Sequence, residues 1–363
     1  MSIELGIIGA GSVARLHAEA ALKVGARVAC ICDIDSGRAG QLAAQCPGAA
    51  TTDSVETLLG RPEIEAVVVA VPNCYHKPVA IAAMQAGKDV LLEKPMAMSV
   101  TECDEIIAAC RQTDRILQVG FVCRGAPAVM AARSLVEKGR LGRIYHVKAS
   151  VYRQRGIPGL GRWFTTRAMS GGGALMDVGV HLVDLALHLT GFPRATRASA
   201  VCTSTFGSPI ESYRYREMWG GPPDAGGVFD VEDAVTALVR FDGGMSLEVN
   251  VTWAANVSPD HMRDAVVLLG DKAGCVIDIW SNELIMTTET DGKVVSLKQS
   301  LPGEDAWGDA WQLQAQRFCD CVRSRTPPEA SAADGRAVQC VIDALYRSAA
   351  EEREVEVPEC SEP

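Results

Sequence analysis

The chain has 363 residues, of which 48% are hydrophobic and 22% are charged, and its formal net charge is −10. This length favours about two domains, and the composition is typical of a soluble globular protein. The acidic balance argues against nucleic acids and anionic membranes as partners, because both bind basic surfaces.

The first 120 residues alternate predicted strands with predicted helices. The strands are apolar runs at residues 5–8, 27–32, 66–71, 89–92 and 116–119. The helical patterns lie at residues 13–23, 37–45, 77–86 and 100–111. Asp35 or Ser36, and Ser99, are expected to cap two of these helices. Strands that are apolar throughout are typical of a parallel sheet covered on both faces, so we predict a doubly wound α/β domain over residues 1–123.

The pattern changes after about residue 124. Further helices are predicted at residues 126–138, 174–189, 310–323 and 332–351. Strands are predicted at residues 143–153, 196–205, 231–241, 245–253, 264–269, 274–279 and 284–289. Turn dipeptides such as Asp242-Gly243 and Asp291-Gly292 separate several strands, as in an antiparallel meander. We predict an α+β domain with a large, mostly antiparallel sheet over residues 124–357, a long loop at residues 206–229, and a frayed tail at residues 358–363.

The chain carries no pattern that directs it out of the cytoplasm. A predicted strand begins almost directly after Met1, with no basic and apolar leader before it, so we expect no signal peptide. We find no apolar run that approaches the length of a membrane span. The 13 cysteines follow no zinc-site spacing and are scattered through core-like segments, which predicts free thiols in a reducing cytoplasm.

The first strand-to-helix turn carries the pattern G-x-G-x-x-G/A at residues 9–14. Gly9 permits a tight turn, Gly11 lets the backbone approach a pyrophosphate, and the small Ala14 lets helix and strand pack closely. The helix start offers unpaired N–H groups and a positive dipole end to the phosphates. The predicted Rossmann nucleotide site therefore includes Gly9, Ala10, Gly11, Ser12 and Val13.

Asp33 lies at the end of the second strand, where a carboxylate can receive the ribose hydroxyls of a nucleotide. Because this acid repels a 2′-phosphate, we expect NAD as the cofactor. Arg38 keeps NADP possible, since its guanidinium can either stack on adenine or grip a phosphate. The alternative role for Asp33 is a helix cap.

Two later strand ends face the same predicted crevice. The segment 71–76, Val-Pro-Asn-Cys-Tyr-His, is either part of the nucleotide site or an ordinary strand-to-helix turn. Glu93-Lys94-Pro95 follows a strongly apolar strand, and a lysine is costly to desolvate there unless it is paired or used in chemistry. The alternative for Lys94 is an ion pair with Glu93 or another nearby acid.

Asp177, His181, Asp184 and His188 form one polar stripe on an otherwise apolar predicted helix, because their spacing places them on the same face. A buried stripe of this kind needs partners. It can hold core histidines, a metal ion, or groups for proton chemistry beside Lys94. The glycine run before the helix favours proton chemistry for the first two residues, and the last two are expected to bind structural partners. No other cluster completes a metal site, so we predict no metal.

Together these motifs resemble the Gfo/Idh/MocA family, which includes glucose–fructose oxidoreductase and inositol dehydrogenase. The resemblance rests on Glu93-Lys94-Pro95 after the nucleotide fold and on the run 171–181, GGGALMDVGVH, and it covers most of the chain. It implies a Rossmann domain followed by a domain with a large open sheet. It also implies a homodimer or homotetramer, since the outer face of that sheet often mediates assembly in the family.

The resemblance further implies functional residues. Catalysis is implied at Lys94, Asp177 and His181. Cofactor contacts are implied at Gly9, Gly11, Asp33, Pro72, Asn73, His76, Glu93 and Lys94. Substrate contacts are implied at Tyr152, Arg153, Asp177 and His181. The segment 121–125, FVCRG, departs from the Asn-Arg-Phe or Arg-Arg-Tyr that relatives often carry, so the substrate contact there does not carry over to Cys123 by residue type.

The segment 153–158, RQRGIP, with Trp163-Phe164 after it, looks most like family members that act on glycosides. Some of those members oxidise the C3 hydroxyl to a 3-oxo sugar. Trp163, Trp219 and Arg155 lie in predicted loops, where they can bind a sugar, pack locally or serve a subunit interface. Of these, Trp163 is our candidate substrate contact.

The resulting hypothesis is reversible hydride transfer between C4 of a nicotinamide and a secondary hydroxyl of a sugar, glycoside or cyclitol. His181 would take the hydroxyl proton, with Asp177 orienting it, and Lys94 would stabilise oxyanion character. Whether Lys94 or His181 is the base stays open. Two alternatives are a redox-assisted glycoside lyase with tightly bound NAD and a catalytically inactive ligand-binding homologue.

Overall fold

The computed structural model describes residues 2–215, 220–258, 261–303 and 305–359. These fall into two compact units. Of the described residues, the first contains those from 2 to 122 together with 311–336, and the second contains those from 123 to 310 and from 337 to 359. The predicted division at residues 123/124 lies one residue beyond the observed break. It assigned residues 311–336 to the second domain, whereas they pack with the first, where Phe318, Cys319 and Val322 join the core.

The first unit is built on a six-stranded parallel sheet in the order β3-β2-β1-β4-β5-β6. Its strands are β1 (Glu4–Ile8), β2 (Arg27–Cys32), β3 (Ala50–Thr52), β4 (Ala66–Val69), β5 (Asp89–Leu92) and β6 (Leu117–Val119). Its helices are α1 (Ser12–Lys23), α2 (Ser36–Ala43), α3 (Val55–Leu59), α4 (His76–Gln85) and α5 (Val100–Thr113). The predicted Rossmann sheet is confirmed. The short elements β3 and α3 were missed because three and five residues are too few to show a period.

The second unit contains a nine-stranded sheet in the order β14-β13-β12-β11-β7-β10-β9-β8-β15. Three helices lie wholly within this unit: α6 (Pro127–Glu137), α7 (Arg167–Ser170) and α8 (Val180–Thr190). Its strands are β7 (Ile144–Tyr152), β8 (Ala195–Thr203), β9 (Ala234–Phe241), β10 (Ser246–Thr252), β11 (Ala265–Gly270), β12 (Ala273–Ile277), β13 (Glu283–Thr290), β14 (Lys293–Ser300) and β15 (Val355–Glu356). Helices α9 (Ala306–Ser324) and α10 (Ala332–Glu351) each contribute residues to both units.

The second sheet is antiparallel except where β7 and β10 run parallel, which confirms the predicted sheet type. Asp291 and Gly292 have φ angles of 52° and 72° and close the hairpin between β13 and β14, so the predicted turn is confirmed. The strands β14 and β15 were not predicted. Most residues of β14 are exposed, and β15 has only two residues, so neither has the apolar alternation used to predict strands.

The predicted helix at residues 174–189 begins as a π-helical turn, Leu175–Gly179, that runs into α8. The helical stretch Arg167–Thr190 has 24 residues, and an 18-residue window within it has a mean hydropathy of 1.2, so by length and composition it could cross a membrane. The expectation that no apolar run approaches that length was therefore wrong. Within this fold 94% of that window is buried, as in the core helix of a globular domain.

The cysteines that the structure describes are free thiols, and most of them are buried. Burial raises the pKa of Cys202 and Cys275 to about 12 and that of Cys32, Cys110 and Cys319 to about 11. Thiols with raised pKa values carry little thiolate at neutral pH, so these cysteines are packing residues and not nucleophiles.

Candidate active site

The glycine turn after β1 needs glycine at its first position. Gly9 has a φ angle of 94°, and a Cβ there would lie 2.2 Å from the carbonyl oxygen of Ala70. Its N–H donates to Cys32 O at 2.8 Å, so the turn is fastened to the end of β2. Helix α1 then begins at Ser12, and among the described residues no side chain caps its N-terminus. The N–H groups of this first turn therefore point toward space in which an anion can bind.

Asp33 holds the glycine turn from the neighbouring strand. Its Oδ2 accepts the Ala10 N–H at 2.7 Å, and its Oδ1 accepts the Asp35 N–H at 2.8 Å and an Arg38 Nη2–H at 2.9 Å. The cap of α2 is Asp35, whose side chain accepts the N–H groups of Gly37 and Arg38. Asp33 is therefore not the helix cap, and its carboxylate stands beside the turn that the sequence assigns to a nucleotide.

His76 joins the ends of two strands. Its Nδ1 lies 2.7 Å from Pro95 O and its Nε2 lies 2.9 Å from Val71 O, and the residue is only 1% exposed. Burial lowers the pKa of the ring, and the two carbonyl groups oppose that shift. Both ring nitrogens thus face backbone carbonyls beyond β4 and β5, which makes His76 a positioning residue for the Glu93-Lys94-Pro95 turn. Its predicted cofactor contact stays a prediction, since these hydrogen bonds occupy only the two ring nitrogens.

Asn73 and Pro72 lie just before this histidine. Pro72 precedes a short 3₁₀ turn, Asn73–Tyr75, that leads directly into α4, and Pro72 O accepts the Tyr75 N–H at 2.9 Å. Asn73 is buried. The segment is thus a strand-to-helix turn at the carboxyl end of β4, as the sequence allowed, and its cofactor contacts stay a prediction.

Glu93 is tied to the helix that follows the glycine turn. Its Oε1 accepts a hydrogen bond from His17 Nε2 on α1 at 2.7 Å, and its Oε2 accepts the Lys94 N–H at 3.2 Å. Both side chains are almost fully buried, and the His17 ring packs edge-on against Trp311 with centroids 4.8 Å apart. Glycine at position 120 makes room for this carboxylate, since a Cβ there would lie 3.0 Å from Glu93 Oε1. The pair links the glycine-turn helix to the backbone that presents Lys94.

In the second unit, Asp177 has a partner that its local sequence does not reveal. Trp253 Nε1 donates to Asp177 Oδ2 at 3.0 Å, and Trp253, which follows β10, is fully buried. Asp177 sits in the π-helical turn, a feature often found at functional sites. The indole therefore orients this carboxylate from the sheet.

The rest of the polar stripe is also partnered. His181 Nδ1 lies 3.6 Å from Cys123 Sγ, within hydrogen-bonding range for sulfur. Asp184 is fully buried and accepts three hydrogen bonds from Arg124, the shortest 2.6 Å long from Nη2. The carbonyl of His188 accepts from Arg133. The predicted structural role of Asp184 is confirmed, because its carboxylate forms a buried ion pair.

A buried carboxylate holds the start of this helix. Glu232 Oε1 accepts the N–H groups of Gly173 at 2.9 Å and Leu175 at 3.1 Å, and the hydroxyl of Tyr346 at 2.8 Å. Burial raises the pKa of the Glu232 carboxyl. A Cβ at Gly172 would lie 1.9 Å from Tyr346 Oη, and one at Gly173 would lie 1.9 Å from Glu232 O. The glycine run is therefore required for the close approach of Glu232 and Tyr346, which fix the helix bearing Asp177 and His181.

The residues predicted to contact substrate already have partners within the protein. The Tyr152 N–H donates to Asp264 Oδ1 at 2.8 Å at the end of β7, and Arg153 Nη1 donates to Gly156 O at 3.4 Å. Trp163 stacks on Phe164 with ring centroids 3.7 Å apart, and Arg155 lies 4.6 Å above the Phe206 ring. Local packing thus occupies one face of Trp163. Trp219 lies outside the described residues.

The chain matches models of known protein families over most of its length. The family described as "Oxidoreductase family, NAD-binding Rossmann fold" matches residues 3–121, and the GFO/IDH/MocA C-terminal domain matches residues 129–276. The chain belongs to the Gfo/Idh/MocA family. It is therefore an oxidoreductase whose Rossmann domain binds NAD.

Curated relatives cover most of the chain. The D-glucoside 3-dehydrogenase of Escherichia coli (strain K12) is 28% identical over 349 residues, which span 96% of this chain and 95% of that protein. A putative UDP-kanosamine synthase oxidoreductase subunit of Amycolatopsis mediterranei (strain S699) is 32% identical over 261 residues, which span 72% of this chain and 71% of that protein. A solved structure of levoglucosan dehydrogenase in complex with NADH and levoglucosan has a TM-score of 0.84 at 25% identity, covering 99% of this chain and 100% of that chain.

The residues of this Gfo/Idh/MocA member fit NAD. No described atom lies within 4 Å of a Cβ built on Gly11, so open space adjoins the α1 N-terminus where a pyrophosphate would bind. The Asp33 carboxylate stands beside that turn with one oxygen already oriented by Ala10, as a ribose-binding acid requires. The part of the chain that the structure describes holds no group of three or more His, Cys, Asp or Glu residues able to bind a metal ion.

Two alanine substitutions in the glycine turn are expected to have different effects. Gly9→Ala should lower the free energy of unfolding by about 2 kcal/mol or more, because its φ angle is positive and its Cβ meets Ala70 O. Gly11→Ala should change that free energy by less than about 0.5 kcal/mol but weaken NAD binding about tenfold or more, since its Cβ enters the open space. Urea unfolding without NAD and titration with NAD measure the two effects. Equal effects of the two substitutions on the free energy of unfolding and on NAD binding would contradict the assignment of Gly9 to the turn and Gly11 to the cofactor site.

The contact between Tyr346 and Glu232 is expected to stabilise the second unit. Tyr346→Phe should lower the free energy of unfolding by about 1–3 kcal/mol, because the buried carboxylate loses a donor. Urea denaturation measures this, and Tyr145→Phe, at an exposed tyrosine of β7, is the matched control. A loss no larger than that of the control would show that the hydrogen bond contributes nothing net.

Several of these residues carried no local signal in the sequence. His17, Trp253, Glu232 and Tyr346 each bind a motif residue, or the helix that bears one, from a distant part of the chain. Only alignment of many homologues could have singled them out before the fold was known. The described structure adds them as positioning residues around the predicted motifs.

Proposed function

We propose that this enzyme transfers hydride between NAD and a secondary hydroxyl of a sugar, glycoside or cyclitol, and that the C3 hydroxyl of a glycoside is the reacting group. The observation that carries the proposal is the helix with Asp177 and His181, both held in place by buried partners. Buried, oriented ionisable groups are costly for stability and are typical of acid–base sites. The similarity to D-glucoside 3-dehydrogenase and levoglucosan dehydrogenase supports a glycoside as substrate.

We propose that Lys94, Asp177 and His181 act together in this reaction. NAD, when bound, accepts or returns the hydride at C4 of its nicotinamide. His181 takes the proton of the substrate hydroxyl, and Asp177, oriented by Trp253, holds either the imidazole or the substrate in register. Lys94 stabilises the negative charge that develops on the substrate oxygen. Glu93 and His76 support this role by fixing the backbone on either side of Lys94.

Tyr152 and Arg153 at the end of β7, with Trp163 in the loop beyond, are the proposed substrate contacts. Tyr152 and Arg153 end a central strand whose parallel neighbour β10 leads to Trp253, the partner of Asp177. The carboxyl ends of β7 and β10 therefore bring the proposed substrate contacts and the partner of a proposed catalytic residue to one edge of the second sheet.

A substrate panel tests the proposal. The purified enzyme is mixed with glucosides, free sugars and cyclitols, each with NAD and with NADP, and reduced nicotinamide is followed by absorbance. We expect glucosides with NAD to give the highest kcat/KM. NAD should be preferred to NADP because the Asp33 carboxylate disfavours a 2′-phosphate. Turnover without added cofactor, together with NAD that co-purifies and elimination products, would favour the lyase alternative. Tight NAD binding with no reduction across the panel would favour an inactive homologue.

We also propose a homo-oligomer assembled through the outer face of the second sheet. Strand register places the exposed side chains of Val201, Leu238 and Val276 on one face of that sheet. The same register places Lys148 and Glu248 on this face, so it mixes exposed apolar and charged side chains, as many subunit interfaces do. Light scattering at micromolar concentration measures the assembly, and a monomer would contradict it.

A further inference from the structure

We propose that Cys123 is a positioning residue for His181, whose Nδ1–H it binds so that Nε2 exchanges the proton with substrate. The choice of tautomer rests on the proposed function, because the contact fits either N–H···S or S–H···N and only the first leaves Nε2 able to accept a proton. Cys123 lies where the chain departs from the residue types common in the family, so the role is specific to chains with a thiol there. The two tautomers of a histidine differ in which nitrogen can accept a proton, and the partner of the other nitrogen selects between them.

The contact itself is buried. Cys123 Sγ lies 3.6 Å from His181 Nδ1, with Cys123 1% exposed and His181 9% exposed. A sulfur hydrogen bond is longer than one to oxygen, and a thiol is both a weak donor and a weak acceptor. Where bulk water has little access, even a weak partner biases which nitrogen carries the hydrogen.

The position of the thiol is set by its neighbour. Cys123 and Arg124 belong to one short 3₁₀ turn, Val122–Gly125, and Arg124 forms the buried ion pair with Asp184. Asp184 follows His181 by three residues on the same helix face, so the ion pair and the thiol contact lie side by side. The guanidinium also packs over the Phe192 ring at 5.4 Å. This arrangement fastens the turn to α8 and holds Sγ opposite the imidazole.

The proposed tautomer determines where each proton lies during the reaction. In the resting enzyme Nδ1–H donates to Cys123 Sγ, and Nε2 carries the lone pair. During oxidation of substrate the hydroxyl proton moves to Nε2, the carbon that bears this hydroxyl gives up its hydrogen as hydride to NAD, and a C=O bond forms. The imidazolium keeps its Nδ1–H on sulfur. The proton returns from Nε2 in the reverse reaction. Cys123 is neither oxidised nor deprotonated at any point.

Nitrogen NMR of the imidazole tests the inference without any substrate. Protein labelled with ¹⁵N-histidine gives long-range ¹H–¹⁵N spectra in which the two tautomers differ, and loss of one ring signal in His181→Asn assigns His181. We expect the Nδ1–H tautomer in the parent and in Cys123→Ser, which keeps an acceptor. Cys123→Ala should shift the ring toward the Nε2–H tautomer. The same tautomer in Cys123→Ala and the parent would overturn the inference.

Kinetics provides the second measurement. With a substrate found in the panel, Cys123→Ala should lower kcat about tenfold and leave KM within about twofold, and Cys123→Ser should retain most of kcat. Cys275→Ala is the control, because it removes an equally buried thiol from β12 of the same unit. A loss in Cys275→Ala equal to that in Cys123→Ala would assign the effect to packing and contradict the inference. If the parent reduces no nicotinamide with any substrate, the proposed function fails while the NMR result still decides the role of Cys123.

Discussion

Replacing Lys94 with methionine is expected to lower kcat about 10³-fold and to change NAD affinity by less than about threefold. Lys94 follows β5 at the carboxyl edge of the parallel sheet, where ligands bind in folds of this type. In the proposed mechanism its cationic head stabilises charge that exists only as the hydroxyl proton and the hydride leave, so its removal is expected to affect the transition state more than the ground state. Stopped-flow absorbance of reduced nicotinamide measures the rate, and fluorescence titration measures NAD affinity.

Methionine keeps most of the length and the apolar stem of lysine at position 94. The backbone contacts that hold the turn, from Lys94 N–H to Glu93 and from His76 to Pro95 O, do not depend on the replaced side chain. Lys23→Met, at an exposed position in the last turn of α1, is the matched control and should retain parental kcat. A Lys94→Met enzyme with nearly parental kcat would show that the lysine is structural, as in the ion-pair alternative.

His181→Asn is expected to lower kcat by about 10²- to 10⁴-fold, the range for loss of a positioned acid–base group. Asparagine is close to the imidazole in shape and remains polar, so the buried helix is disturbed little. The effect should appear in single-turnover hydride transfer, because loss of the proton from the hydroxyl oxygen is coupled to loss of the hydride from the carbon that bears it. NAD affinity should stay close to the parental value, because in the proposed reaction His181 acts on the proton of the substrate and not on the cofactor.

His146→Asn is the control for this substitution. His146 lies on β7 and binds the Ser246 hydroxyl at 2.8 Å, away from the polar stripe of the helix. We expect its kcat to be within about twofold of the parent. Parental rates in both Lys94→Met and His181→Asn would contradict the proposed chemistry altogether. A large loss in only one of them would identify which residue the proton step requires.

Sequence periodicity was sufficient for the long elements of both units. The strands β2 and β5 were predicted to the residue because each begins at a charged residue, Arg27 or Asp89, and continues as a buried apolar run with a clear end. Short or exposed elements such as β3 and β14 escaped prediction, since their stability comes from pairing with neighbouring strands and not from their own composition. The return of residues 311–336 to the first unit also escaped, because a helix shared between two cores has no boundary signal along its length.

For the site, the sequence alone determined which residue types stand at the strand ends and on the helix face: the glycine turn, Asp33, Lys94, Asp177 and His181. Local spacing carries that information, because a turn or a helix face involves residues close along the chain. Only the tertiary structure decided their partners. His17 with Glu93, Cys123 with His181 and Trp253 with Asp177 join residues 76, 58 and 76 positions apart. Such pairs form only when separate elements pack, so no local pattern can encode them.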